Sequence, residues 1–205
     1  IGAPSSWDWR DHGKVTPVQN QGSCGSCWAF ATVATLESQY AIQGHSLTRF
    51  SEQELVDCVN TCKGCNGGLP SLAYQWTKTH GIETSSNYPY TAKTGTCKYD
   101  ASKSIKVNSG WSQVPIRNAD ALFNAIYKVP VAVAVQADQA VFQSYKSGII
   151  GSGCGANLNH AITAVGYSTA NGGYAIIKNS WGTSWGQNGY AFISTSSQYN
   201  SGLGA

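Results

Sequence analysis

Apolar residues recur at helical spacing from Cys27 to Gln43 and cease at Gly44, which predicts a first helix over that stretch. Ser51 and Glu54 have the spacing of a capping box at the start of a second helix, Glu52–Cys58. A third pattern runs from Pro70 to Thr79 and is closed by Gly81. From Gly81 to about Asn108 the chain reads as loop. Asn118 then caps a short helix, Ala119–Lys128. After Pro130 the pattern changes to short apolar runs. Val131–Gln136, Ala161–Tyr167, Tyr174–Lys178 and Tyr190–Ser194 predict strands bounded by Gly and Asn. Helices first and strands later predict an α+β fold with a mainly helical lobe over 1–111 and a β-rich lobe over 112–205. The boundary is expected near Ser109–Gln113, and a ligand site in the cleft between the lobes.

Composition adds constraints. A chain of 205 residues, 41% hydrophobic, can bury a real core. Charged residues are only 11%, against roughly a quarter in most proteins, so the surface must rest on Ser, Thr, Asn, Gln and Tyr. Such a surface is common in secreted proteins. The net charge is +3, with Lys and Arg spread along the chain, which gives no stripe for nucleic acid or a membrane surface. No apolar run approaches the ~18 residues of a membrane span, and the start has no signal-like segment. With no methionine anywhere, the chain is expected to be a processed product from which a leader was removed.

Seven cysteines, at 24, 27, 58, 62, 65, 97 and 154, favour an oxidising compartment. The count is odd, so at least one is free or bound elsewhere. No Asn-x-Ser/Thr sequon supports secretion.

Three segments carry chemistry. In Gln19-Asn20-Gln21-Gly22-Ser23-Cys24-Gly25-Ser26-Cys27-Trp28, Cys27 opens the first helix. The free N–H groups and positive dipole end there favour an anion, and a thiolate is the reactive form of cysteine. The Cys27 N–H and the Gln21 amide can face a developing oxyanion. Of the four histidines, His160 sits in Asn157-Leu158-Asn159-His160-Ala161 at the mouth of a predicted strand and is the candidate base. His12, His45 and His80 read as surface residues. The third segment is Lys178-Asn179-Ser180-Trp181-Gly182.

These segments resemble the papain-like cysteine proteases of the papain and cathepsin L type, in mature form. The resemblance covers nearly the whole chain. Ala3-Pro4, Trp7-Asp8-Trp9-Arg10, Ser51 to Cys58 and Gly64-Cys65-Asn66-Gly67-Gly68 are further matching blocks. It implies a two-lobe papain-like fold with a helical N-terminal lobe and an antiparallel, barrel-like β lobe, the first ten or so residues crossing to the latter. It implies a monomeric cysteine-type endopeptidase needing no cofactor or metal. Cys27 is then nucleophile, His160 base and acid, and Asn179 accepts from the imidazole and orients it, with Trp181 over that bond. The family also implies disulfides Cys24–Cys65 and Cys58–Cys97. Gly67 and Gly68 present backbone to an extended substrate. Leu69, Pro70, Ala134, Leu158 and Asn159 line a pocket for an aliphatic or aromatic P2 side chain. The expected partners are protein or peptide substrates, the chain's own propeptide and cystatin-like inhibitors. The expected location is lysosomal, vacuolar or secreted. No insertion like the occluding loop of cathepsin B interrupts Cys97–Cys154, so the cleft should be open at both ends.

The chain departs from the pattern in three places. The partner that the family usually gives Cys154 is missing from the tail Tyr199–Ala205, Cys62 is extra, and Asn159 stands where many relatives carry aspartate. Parity would allow Cys62–Cys154, but the resemblance puts them on different lobes, while a disulfide needs Cα atoms within ~7 Å. Two free thiols, or a partner beyond the tail, fit equally well. Two other classes share parts of this pattern. Cys24-x-x-Cys27 with Cys62-x-x-Cys65 suggests a zinc module, though the gap between the pairs exceeds that of a zinc ribbon. Cys24-Gly25-Ser26-Cys27 suggests a thiol–disulfide oxidoreductase, but loop rather than strand precedes it. Neither explains the Asn179-Ser180-Trp181-Gly182 segment. A catalytically dead relative used for binding would lack reason to keep all three catalytic side chains.

Overall fold

A computed structural model describes residues 2–196. The tail 199–205 and the end of the lobe expected over 112–205 lie outside the described residues. The elements are β1 (Ser6–Asp8), α1 (Cys27–Ile42), α2 (Glu52–Cys58), α3 (Pro70–His80), α4 (Ala119–Lys128), β2 (Val131–Val135), α5 (Ala140–Gln143), β3 (Ile149–Ile150), β4 (His160–Ser168), β5 (Tyr174–Lys178) and β6 (Tyr190–Ser194). Three short elements, β1, α5 and β3, lack any sequence signature long enough to read. Two to four residues cannot show a period.

The helix starts follow their caps. The Ser51 hydroxyl accepts from Glu54 N at 3.0 Å, and the Asn118 side-chain oxygen accepts from Ala121 N at 3.0 Å. Only half of the expected capping box forms, because the Glu54 carboxylate turns away. It accepts instead from Glu83 N at 2.8 Å and ties α2 to the 81–108 loop segment. Pro70 occupies the first turn of α3, where its missing N–H costs nothing, and Gly81 ends that helix at φ 77.

The strands form one sheet in the order β1-β4-β5-β6-β3, with β2 pairing on β4 as a branch. All pairings are antiparallel except β3 with β6. β4 is the hub. β1 aligns Trp7 with Tyr167, and β2 aligns Val135 with His160. β1 reaches Gly166 so closely that an added Cβ there would lie 2.5 Å from the Trp7 carbonyl oxygen.

The buried apolar side chains form two clusters. One, around Trp28, Val33, Leu36, Phe50, Leu55 and Ile82, fills the helical part. The other, around Phe123, Ile126, Phe142, Ile162, Tyr167 and Ile177, fills the space between the sheet and α4. Trp9 belongs to the second, its indole donating to Ile126 O at 2.6 Å, so the first residues of the chain cross to the sheet. The helix α1 stands between both parts, and Thr163 of β4 donates to the Ala31 carbonyl at 3.4 Å.

Burial chiefly, with the nearby Glu83 charge, pushes the Glu54 carboxyl up, to about 7, and the N–H bonds from Glu83 and Trp76 only partly offset it. Glu52 is likewise pushed up to about 7 by burial. A carboxyl whose pKa is higher folded than unfolded contributes stability that is full below the unfolded value. That contribution is lost as pH rises through the folded value. Thermal stability should therefore fall between about pH 4.5 and 7 on account of these two groups. Glu54→Gln should flatten that fall, which calorimetric Tm values across the range will check. An unchanged slope would show that Glu54 is already ionised in the folded chain.

Candidate active site

The Cys27 side chain lies at the first residue of α1. Ser26 is the N-cap and gives no side-chain bond to the helix, so the first N–H groups remain free to face an anion. The Cys27 sulfur takes backbone donors from Ala161, Trp28 and its own N–H, the first at 3.5 Å. Ala161 follows His160 directly on β4, so this contact brings the thiol to the strand that carries the histidine. The sulfur comes from one part of the fold and the imidazole from the other.

His160 is 7% exposed, and its Nε2 lies 2.8 Å from Asn179 Oδ1. The Ser180 N–H donates to that same oxygen at 2.8 Å. A backbone N–H can bond only the oxygen of the amide, so the orientation of Asn179 is fixed, and the Nε2 proton of His160 with it. Nδ1 is left for chemistry. The Trp181 ring lies 4.8 Å from the imidazole, tilted by 32°, and packs edge-on against Phe142 and Trp185. This apolar wall keeps water from the His160–Asn179 bond. Burial pushes the Cys27 thiol up and the His160 imidazole down, offset at the thiol by the backbone donors and at the ring by Asn179. Burial thus disfavours the charged form of each group on its own.

Gln21 is buried and held from three sides. Its N–H donates to Ser180 O at 2.8 Å, its Oε1 accepts from the Ser180 hydroxyl at 2.7 Å, and its Nε2 donates to Cys24 O at 3.0 Å. The second hydrogen of that amide takes part in none of these bonds. The Tyr90 hydroxyl donates to Gln21 O at 2.5 Å and meets the Ser26 hydroxyl at 2.8 Å. Sequence reasoning missed Ser180, Ala161, Tyr90 and Ser26. Ser180 lies inside a segment read for its neighbours, and the others act through backbone or from a distant loop.

The substrate-side residues separate. Leu69, Pro70, Ala134 and Leu158 line one cavity with Ala161, between the α1 and α3 side and the β2 side. Leu69 is 58% and Leu158 38% exposed, as expected for apolar side chains at a cleft. Gly67, Gly68, Asn159 and Trp181 are outside that lining. The Asn159 carbonyl instead accepts from Ala137 N at 2.8 Å and braces the β2 exit. An added Cβ at Gly67 would meet open space, whereas one at Gly68 would lie 2.6 Å from the Trp28 ring and 2.8 Å from Cys62 Cβ. Gly68 is thus needed for packing over Trp28.

Cys24–Cys65 and Cys58–Cys97 are disulfides, and Cys27, Cys62 and Cys154 are free. Cys62 belongs with the helical cluster and Cys154 with the sheet cluster, so they do not pair. The bonding of Cys24 and Cys65 removes both Cys-x-x-Cys pairs as zinc or redox units. Among the described residues, no helix is long and apolar enough to cross a membrane.

The fold and site define a class, and the comparisons agree. The family described as "Papain family cysteine protease" matches residues 3–204, and the chain belongs to that family. Its relatives include caricain of Carica papaya, 48% identical over 189 residues, which cover 91% of this chain and 54% of that protein. Vignain of Vigna mungo is 45% identical over 192 residues, covering 91% of this chain and 53% of that protein. The chain spans about half the length of the curated relatives it matches. Among solved structures, the Carica candamarcensis cysteine protease CMS1MS2 in complex with E-64 superposes with a TM-score of 0.90 at 42% identity, covering 98% of this chain and 95% of that one. The bromelain protease of Ananas comosus with the same inhibitor gives 0.91 at 42% identity and the same coverage. The fold is the α+β papain fold.

Gly68→Ala should cost about 1–3 kcal/mol, because its Cβ cannot be placed without moving Trp28 or the 62–68 turn. Denaturant unfolding followed by tryptophan fluorescence will measure it. A variant as stable as the parent would show that the turn shifts freely.

Proposed function

We propose that the chain is a cysteine endopeptidase acting through a Cys27 thiolate and a His160 imidazolium. The observation that carries this is the meeting of the Cys27 sulfur, at the start of α1, with the start of β4, where His160 is held by Asn179. The thiolate adds to the scissile carbonyl carbon, and the resulting oxyanion takes the Cys27 N–H and the free Gln21 amide hydrogen. His160 gives its proton to the leaving amine as the C–N bond breaks, leaving a thioester. Water then attacks the thioester while His160 takes its proton. The C–S bond breaks and returns the thiolate with the released acid.

The P2 side chain fits the small and apolar set Leu69, Pro70, Ala134 and Leu158, which favours an aliphatic or aromatic residue. Substrates are proteins or peptides in extended form, running past Gly67 and Gly68. In this reading the site takes the inhibitor class of the two E-64 complexes, whose chains share this fold at 42% identity. Regulation by a propeptide and cystatin-like inhibitors, action as a monomer, division into lobes near residue 111, and a vacuolar, lysosomal or secreted location belong to this reading. The two disulfides support an oxidising compartment.

Labelling with E-64 under mild reduction, followed by peptide mapping, should place one adduct on Cys27 and abolish hydrolysis of a Phe-Arg fluorogenic peptide. An adduct on Cys62 alone, or hydrolysis that survives the label, would overturn the reading. Gln21→Ala should lower kcat by about 10²-fold, the usual loss for one oxyanion donor. Ser180→Ala, which frees the Gln21 amide without removing it, should lose less. Peptides with Asp or Gly at P2 should be cleaved far more slowly than those with Leu or Phe, and equal rates would remove the pocket assignment.

A further inference from the structure

The stretch from Gln21 to Cys27 carries the two proposed oxyanion donors, one at each end. Between them the chain passes Gly22, at φ 65, a residue whose backbone is freer than any other. Ser180 holds Gln21 through the Gln21 N–H at 2.8 Å and Oε1 at 2.7 Å. Those bonds tie Gln21 to the segment after Asn179. They do not set its distance from Cys27, which belongs to α1. The Cys24–Cys65 disulfide and the Gly25 N–H on Cys65 O pin the middle of the stretch to the 62–68 turn.

One side chain from outside the stretch touches both ends. Tyr90 stands in the 81–108 loop segment, and its ring lies edge-on to Phe30 of α1 at 4.9 Å. Its hydroxyl lies 2.5 Å from Gln21 O and 2.8 Å from the hydroxyl of Ser26. Ser26 is the N-cap of α1 and the residue directly before Cys27. An N-cap serine ordinarily spends its hydroxyl on a helix N–H. Ser26 is fully buried yet gives α1 no such bond, so its hydroxyl is committed to Tyr90 instead. The direction of the bonds follows from their chemistry. A carbonyl oxygen only accepts, so the single phenol proton goes to Gln21 O, and the Ser26 hydroxyl donates to the phenol oxygen. The other acceptor near Ser26 Oγ, Cys24 O, is farther away at 3.4 Å and already takes the Ser26 N–H at 2.8 Å and Gln21 Nε2 at 3.0 Å. The bonds close a ring from Ser26 to Tyr90, to Gln21, to Cys24 and back. Burial pushes the Tyr90 hydroxyl up, so it keeps its proton at neutral pH and remains a donor.

We infer that Tyr90 is a positioning residue for the oxyanion donors. Its hydroxyl fastens the Gln21 end of the stretch to the N-cap of α1, and so fixes the spacing between the Gln21 amide and the Cys27 N–H. The inference rests on the proposed role of those two groups. A displacement of ~1 Å at such a site costs up to about 10²-fold in rate. Tyr90→Phe keeps the ring against Phe30 and leaves the Ser180 bonds in place, so the expected loss is smaller.

Tyr90→Phe should lower kcat for a Phe-Arg fluorogenic peptide about tenfold with little change in KM. Alkylation of Cys27 by iodoacetamide expels iodide and forms no oxyanion, so its rate and pH profile should be unchanged. Equal falls in kcat and in alkylation rate would place the effect on the thiolate or on folding, and overturn the inference. In a Gln21→Ala background the Tyr90 change should cost little more, because the donor it places is gone. A second loss of the same size there would show that Tyr90 acts independently of Gln21, and would also overturn it. Ser26→Ala cuts the other half of the tether and should lower kcat while sparing alkylation. It carries the test should Tyr90→Phe fail to fold, and an unaltered kcat in either variant sinks the inference. Gln21→Ala tests the underlying reading separately. If it keeps full kcat, the oxyanion role fails and the inference with it. If it loses activity while Tyr90→Phe does not, the inference alone fails.

Discussion

The contact between the start of α1 and the start of β4 is the constraint on which the rest depends. Burial raises the Cys27 thiol and lowers the His160 imidazole, so it disfavours the charged form of each on its own. The reading proposed above brings two opposite charges together at this contact, where each offsets part of the other's burial cost. The Ala161 N–H on the Cys27 sulfur is the measurable sign of that approach. Both anchors sit on regular elements, which hold a side chain more closely than loops do. The helix brings its own N–H groups, and the strand brings the histidine in register with Val135 of β2.

Holding two separately packed clusters at this distance requires something stronger than apolar contact across the junction. The structure places a polar chain there. Lys178 of β5 donates to Thr16, Thr16 donates to Glu37 of α1, and Arg49 bridges Glu37 and Glu52. Burial lowers Lys178 to about 8, with Glu37 opposing the shift. Each member is costly if left alone, and removing one strands the others, so the set is more specific than it is stabilising. Directional bonds permit one relative seating of sheet and helices, whereas apolar surfaces tolerate sliding. The same chain ends at Lys178, the last residue of β5, so the junction adjoins Asn179, the residue bonded to His160.

Much of this was legible in the sequence because it is local. The α1 periodicity, the Ser51 and Asn118 caps and the four longer strands each need only a few neighbouring residues, and the structure has them within one or two positions. The capping box was half right, since Ser51 obeyed local geometry while Glu54 was drawn to Glu83, a partner far along the chain. Cys27, His160 and Asn179 stood out because motifs surround them. Their meeting, and the Ser180 bond to Gln21, depend on residues widely separated in sequence, and no periodicity encodes such contacts. The parallel β3–β6 pairing was invisible for the same reason, as two residues of β3 carry no pattern.

Gly68 shows how one residue serves two demands that sequence reasoning treats as one. A glycine beside a cleft suggests room for a ligand backbone, and at Gly67 the open space agrees. At Gly68 the missing side chain is already used by the Trp28 ring, whose indole N–H also donates to Gly64 O at 3.1 Å. Trp28 is the second residue of α1 and fully buried, so it fixes where that helix begins. The Cys24–Cys65 disulfide and the Gly25 N–H on Cys65 O, at 2.8 Å, pin the same turn to the chain just before Cys27. The turn proposed to meet the substrate is therefore the turn that positions Cys27. In that reading a change that loosens it alters substrate binding and the placement of Cys27 together, because the ring contact, the disulfide and the hydrogen bond all hold the one turn.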